Sequence, residues 1–485
     1  MTHSASKRAR FDWSRRVALR ALAGLGSAAL VSRFGLPRLA RATPGPDPRR
    51  RFIFLYFAGG WDQLLFLDPR DQDKPGGPFD DANRDKTLTE PAYQSLEGYH
   101  GFSSKLIRAG NLTFGPATER PGDTGPKLSQ FADRIAIVRG LNMGTLEHGV
   151  GYRYLLTGQP TQGSAARGTS IPVECAGQMK AVLPIPTLAL DIESYNDRWP
   201  GNVSAVQISS LNDLLAMLDR EPGLLERDAV EQALEQYAAG QAPCAVDVYD
   251  RHGLLTDMRR SQATAQGFFA QKLGDRFRFA QGNDETSQQI RAQYGLGQGD
   301  TSSPAARAAF AAQAIKQGVA QCISLSMGIY VDTHGSGNGS HADGLHPAIA
   351  ALAALLDDLS KADAPPELQA AGGDKWIDHT TILAFSEFGR TPLFNYTSGR
   401  DHHLTNSCLL AGAGIVGNKV VGASGDVAMT PGRYDLAKRQ VVTGDAGENL
   451  KPEHIAATLL ASAGLESNIQ GLRVEPLWDI VKAPA

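Results

Sequence analysis

Four cysteines in 485 residues are too few to staple a fold, and Cys175, Cys244, Cys322 and Cys408 are scattered with no CxxC pair among them. A disulfide framework does not fit that pattern; a single bridge is left open, although Cys322 and Cys408 fall inside apolar, strand-like runs. Beyond residue 42 no apolar run approaches the about 20 residues that a spanning helix needs, so no stable membrane span is expected in the mature chain. Net positive charge is also lacking. The formal charge is −3 at pH 7 and includes a strongly basic N-terminus, so the remainder is more acidic than the total, which argues against nucleic acid as a partner. No internal repeat is present.

The N-terminus has the layout of an export signal. Lys7, Arg8 and Arg10 come first, then Ser14-Arg15-Arg16-Val17-Ala18-Leu19-Arg20, then a mostly apolar run over residues 21–31. Arg33 and Arg38 interrupt its continuation before the small-residue stretch Ala40-Arg41-Ala42, after which cleavage is expected. The Arg15-Arg16 pair sits where twin-arginine signals carry theirs. The predicted signal is therefore 1–42, the partner is the twin-arginine export machinery, and the location is the periplasm or the exterior. The alternative is an uncleaved amphipathic helix or a membrane anchor.

Removing the signal leaves about 440 residues, enough for one large domain with insertions or for two domains. A Pro-rich linker over 43–51 precedes Phe52-Ile53-Phe54-Leu55-Tyr56-Phe57, a continuous apolar run that fits a strand buried on both faces of a parallel sheet. Residues 69–128 are rich in Pro, Gly and charge and read as loop. Further strands are predicted at 135–138, 187–190, 205–208, 322–330, 381–385 and 408–411, alternating with helical stretches that include 345–359 and 452–463. The predicted fold is α/β over 52–485: a mainly parallel sheet sandwiched by helices, with a helical insertion at about 210–320.

Several strand ends carry polar clusters. Asp62 follows the first strand, Asp332-Thr333-His334 follows 322–330, Ser386-Glu387-Phe388-Gly389-Arg390 follows 381–385, and Arg400-Asp401-His402-His403 precedes 408–411. Parallel strands bring such ends to one edge of the sheet, where ligands bind. A divalent metal site would need carboxylates and imidazoles converging in this way. Taken singly, each cluster reads more readily as a cap or a solvated loop.

The segments GGWD, DTHG, SEFGRTP and GRDHH, followed by LLAGAGIVGNKVVG, resemble the uncharacterised domain-of-unknown-function family numbered 1501. That family is similar to the alkaline phosphatase and sulfatase superfamily. The resemblance implies an alkaline-phosphatase-like α/β fold and a site of one or two divalent ions, which could be zinc, calcium, magnesium or manganese. Asp62 and Glu387 would serve one ion; Asp332, His334 and His402 or His403 the other, with Asp401 as a replacement ligand because Phe388 stands where relatives carry a histidine. His341 and His346 are further substitutes, or loop and helix-start residues.

Relatives in the superfamily place Ser, Thr or a modified Cys at the start of a helix running into Thr-Gly. Here that position, counted back from Thr157-Gly158, holds His148, read as nucleophile, acid/base or ligand, or as a helix cap. Thr145 is the nearest hydroxyl in sequence, and no CxPxR-like segment is present, which disfavours a sulfatase of the oxidised-cysteine type. Arg390 and Arg400 would clamp an anionic substrate or pair with Glu387 and Asp401. Trp61 lines a pocket or packs in the core. Two functions follow: an exported metal-dependent hydrolase of phosphate or sulfate esters, with His148 and Arg390 as catalytic residues, or a non-catalytic exported protein that binds a metal or a ligand on the same scaffold.

Overall fold

A computed structural model describes residues 47–72, 77–79, 83–180, 183–218, 277–370, 372–469 and 471–482. The predicted signal, the start of the linker, Cys244 and residues 219–276 of the predicted insertion lie outside them.

Eight strands form one sheet: β1 (Arg51–Ala58), β2 (Ile135–Asn142), β3 (Ile185–Leu190), β4 (Val206–Ile208), β5 (Ala320–Tyr330), β6 (Thr380–Phe385), β7 (Thr405–Gly412) and β8 (Lys419–Val421). Their order across the sheet is β8-β2-β7-β6-β1-β5-β3-β4. β1 lies parallel to both neighbours, pairing Phe54 with Ser324 of β5 and with Leu383 of β6. Only β7 runs against the others, antiparallel to β2 and to β6. The sheet is therefore mixed but mostly parallel, as the continuous apolar runs predict.

β1 is apolar throughout because both its faces are covered. Ile53, Leu55 and Phe57 pack with α3 (Leu211–Leu218), α5 (Pro304–Lys316) and α6 (Asn338–Lys361) on one side. Phe52 and Phe54 pack with α1 (His148–Thr157), α2 (Ile171–Met179) and α7 (Pro452–Ser462) on the other. Each of these fully buried side chains stabilises the sheet by about 2–3 kcal/mol relative to exposure. In the described part of the 210–320 block, α4 (Glu285–Tyr294) is capped by Asp284, and α5 lays an alanine face, Ala308, Ala309 and Ala312, into the core.

Two differences from the sequence reading have simple causes. α6 starts at Asn338 rather than 345, because its first turns, rich in Gly and His, bury His341 and Ala342 without the apolar spacing that marks a helix. β8 is three residues long at the sheet edge, too short for a periodic signal. The 69–128 stretch is largely loop, with a short hairpin of Ile107–Ala109 and Leu112–Phe114. Cys175, Cys322 and Cys408 are buried free thiols. No helix of the described residues is long and apolar enough to cross a membrane.

This topology places the site. The C-terminal ends of β1, β5 and β6 open on one edge, and because β7 is reversed its start opens there too. Asp62, Asp332, Glu387 and His402 therefore lie along the same edge, although β1, β5 and β6 are far apart in the chain.

Candidate metal centre

The turn after β1 is built for close approach. Gly59 and Gly60 have φ of +104° and +74°. A Cβ on Gly59 would lie 2.3 Å from the Val331 nitrogen, and one on Gly60 would lie 2.4 Å from the Phe388 ring, so only glycine fits between the β5 and β6 ends. α1 approaches from the other side by the same device: a Cβ on Gly151 would sit 2.3 Å from the Glu387 carbonyl oxygen. This contact brings the first residue of α1, His148, onto the β6 loop.

Three imidazoles converge on Asp332. His148 Nε2 lies 3.6 Å from its Oδ2, while His334 Nε2 and His402 Nε2 lie 3.0 and 3.3 Å from its Oδ1. The ligand atoms of His148, Asp332 and His402 all fall within 4.8 Å of one another, close enough for a metal ion to be held among them. His334 joins their edge, its Nε2 2.9 Å from that of His402.

The far side of each ring is anchored on oxygen. His148 Nδ1 meets Glu387 Oε1 at 2.7 Å, His334 Nδ1 meets Asp401 Oδ1 at 2.7 Å, and His402 Nδ1 meets the Leu146 carbonyl at 2.6 Å. Carboxylates and carbonyls only accept, so each Nδ1 carries a proton, and in a neutral ring the Nε2 lone pair then points toward Asp332. That is the arrangement in which a second layer of acceptors orients metal-binding histidines. Two such lone pairs 2.9 Å apart repel each other unless a proton or a cation lies between them.

Electrostatics mark the same residues. Burial opposes ionisation of Asp332, but the hydrogen bond and charge of Arg390, helped by His402, drive its carboxyl down to about 2. Burial also opposes charging of His148, yet the Glu387 hydrogen bond and the charges of Glu387 and Asp332 outweigh it and hold the ring above its ordinary range. Burial keeps His402 below that range. Phe388, fully buried, fills the gap between the rings, 4.7 Å from His148 and 4.1 Å from His402.

The remaining predicted site residues do not join the cluster. Asp62 is buried in an ion pair with Arg400, 2.9 Å from its Nε, and its Oδ1 accepts from the Leu64 nitrogen. Glu387 stands behind His148: Oε1 also accepts from the Gly59 nitrogen, and Ser386 Oγ lies 2.8 Å from Oε2. Arg390, expected to clamp an anion, is fully buried. Its donors go to the carbonyls of Gly59, Gly60 and Arg400 and, at 2.6 Å, to Asp332, so it braces the carboxylate instead of reaching solvent. Arg400 spends its own on the Glu90 and Thr391 carbonyls as well as on Asp62, not on Glu387 or Asp401. His403 uses Nδ1 to accept from the Thr405 nitrogen, outside the cluster. His346 bonds the Ala117 carbonyl and Asp123. Trp61 is a core residue whose Nε1 donates to Asn406. Thr145 accepts from the Glu147 nitrogen, and the Glu147 carboxylate occupies the N-terminus of α1 by accepting from the Val150 nitrogen.

Sequence reasoning missed three contributors. The Leu146 carbonyl carries no side-chain signal at all. Tyr330, 67 % exposed beside the His148 ring, and Tyr56, whose ring lies 5.4 Å from that of Tyr152 on α1, were hidden inside runs read simply as strands.

The model of a family described as "Protein of unknown function (DUF1501)" matches residues 49–443. No curated protein matches the chain.

Proposed function

The chain belongs to the DUF1501 family, and from that premise we propose that its α/β domain is an exported, metal-dependent hydrolase of phosphate or sulfate esters, working in the periplasm or outside the cell. The observation that carries the reading is the set of three imidazoles, each anchored through Nδ1 on an oxygen and each aiming Nε2 at Asp332. Two imidazole nitrogens and one carboxylate suit zinc better than calcium or magnesium, which favour oxygen ligands. The reaction class and the export route come from the resemblance to the alkaline phosphatase and sulfatase superfamily and from the twin-arginine pattern.

A bound divalent ion would supply Lewis-acid polarisation of the ester and activation of water. The chain's own residues do the rest. Asp332, held anionic by Arg390, together with His148 and His402, would hold the ion. His334, 44 % exposed at the rim and oriented by Asp401, faces incoming substrate. Glu387 fixes the His148 ring. With Glu147 capping α1, the helix N-terminus is already satisfied by a carboxylate, so substrate anion is attracted by the ion and not by the helix.

A binding protein without turnover is the second reading, favoured by one observation: the helix start that carries a hydroxyl or thiol in the superfamily carries His148. Metal content and metal titration of the purified chain, with assay on aryl phosphate, phosphodiester and sulfate esters, separate the two. Wild type should bind about one ion and Asp332→Ala none; turnover lost with the ion supports the hydrolase, and binding without turnover the alternative. Absence of metal binding by wild type would overturn the hydrolase and the metal-binding form of the alternative.

A further inference from the structure

Beside the metal centre, on the same sheet edge, lies a cleft of about 450 Å³ lined by Tyr56, Tyr152, Asp191, Glu193, Gln207 and Ser209. It continues the centre directly. Tyr152 lies one turn along α1 from His148, and helix residues four apart share a face. The rings of Tyr56 and Tyr152 are 5.4 Å apart.

The charge of the cleft is already balanced. Asp191 pairs with Arg307 at 2.9 Å and Glu193 with Arg153 at 2.8 Å, so the carboxylates keep their hydrogen-bonding lone pairs but exert little net field. A cationic group would gain little there, and an anionic one would face acceptors. A plain hydrocarbon ring would cover the tyrosine faces yet make no use of the exposed Gln207 and Ser209 groups at the polar edge. A hydroxylated ring meets both demands, with C–H faces on the tyrosines and hydroxyls on the polar edge.

We infer that this cleft is the subsite for an uncharged sugar ring, whose ester group would then reach the metal centre. The inference deepens the hydrolase reading and rests on it for the substrate, but the ring site itself is testable without the metal.

The test is saturation-transfer NMR on the full chain, with methyl glycosides of gluco, galacto and manno configuration and anisole as the hydrocarbon control. At least one glycoside should receive saturation, in metal-loaded and in chelator-treated protein alike. Affinity should fall about tenfold in Gln207→Ala, a surface change that leaves folding intact, and Tyr152→Phe should retain most of it. Metal titration of the same samples should be unchanged. No transfer to any glycoside, or transfer to anisole alone, overturns the sugar subsite whatever the metal result. A failure of metal binding with glycoside transfer intact would remove the hydrolase reading and leave the sugar site standing.

Discussion

His341 offers a test of the site's architecture that needs no ligand. It is 3 % exposed. Its Nε2 accepts from the Asp62 nitrogen at 2.8 Å, so the proton sits on Nδ1, 2.5 Å from Thr333 Oγ1. The ring thus ties the β1 turn to the β5 loop and must stay neutral, since a second proton on Nε2 would face an N–H donor. Burial first, then the charges of Arg390 and Arg400, push its pKa down to about 3. An unfolded histidine titrates near pH 6.5. With the folded pKa depressed, the stabilisation is complete above about pH 6.5 and is lost as pH falls toward 3, because unfolding takes up a proton. The slope is about 1.4 kcal/mol per pH unit, or about 3 kcal/mol between pH 6.5 and 4.5. Denaturant unfolding of wild type and His341→Gln at about pH 8 and about pH 4.5 measures it. The glutamine carbonyl can still accept from Asp62, so the variant should be about 1 kcal/mol less stable at the higher pH. At the lower pH that gap should close and reverse by about 3 kcal/mol in total. A difference between the two proteins that is the same at both pH values would refute the neutral, acceptor role of the ring.

Glu387→Gln weakens the anchor behind His148 and should lower metal affinity by about 10- to 100-fold in a calorimetric titration, with the fold retained. Gly151→Ala forces α1 off the Glu387 carbonyl; thermal unfolding should show a loss of about 1–3 kcal/mol, and metal affinity should fall with it. Arg400→Met leaves Asp62 buried without its partner and should cost about 3–5 kcal/mol, of which the double change Asp62→Asn with Arg400→Met recovers a large part; equal losses in the single and double variants would mean the pair is not coupled.

The strands and their edge were readable because a buried parallel strand leaves a plain record: β1, β5 and β6 are unbroken apolar runs that end in polar residues. Asp332, His334 and His402 were legible for the same reason. What could not be read was who answers whom across the chain. Asp62 and Asp332 look alike in sequence, each after a strand, yet one faces the Arg400 guanidinium and the other faces three imidazoles. Arg390 and Arg400 likewise look like surface cations, and only packing reveals that both are buried and committed to carbonyls. Phe388 was expected as a gap in a ligand set; its ring instead fills the space between His148 and His402.

The reversed direction of β7 has a consequence for how the centre comes together. Because β6 and β7 are antiparallel neighbours, Glu387, Arg390, Asp401 and His402 all sit on the connection between them, braced by the two-residue ladder that pairs Gly389 with His403 and Arg390 with His402. Closing so short a segment costs little chain entropy, so this half of the centre can assemble locally and early. Asp332 and His148 arrive only when β5 and α1 dock from remote parts of the chain. Metal affinity acquired during refolding should therefore track the last long-range docking step and report completion of the whole sheet, not of the hairpin.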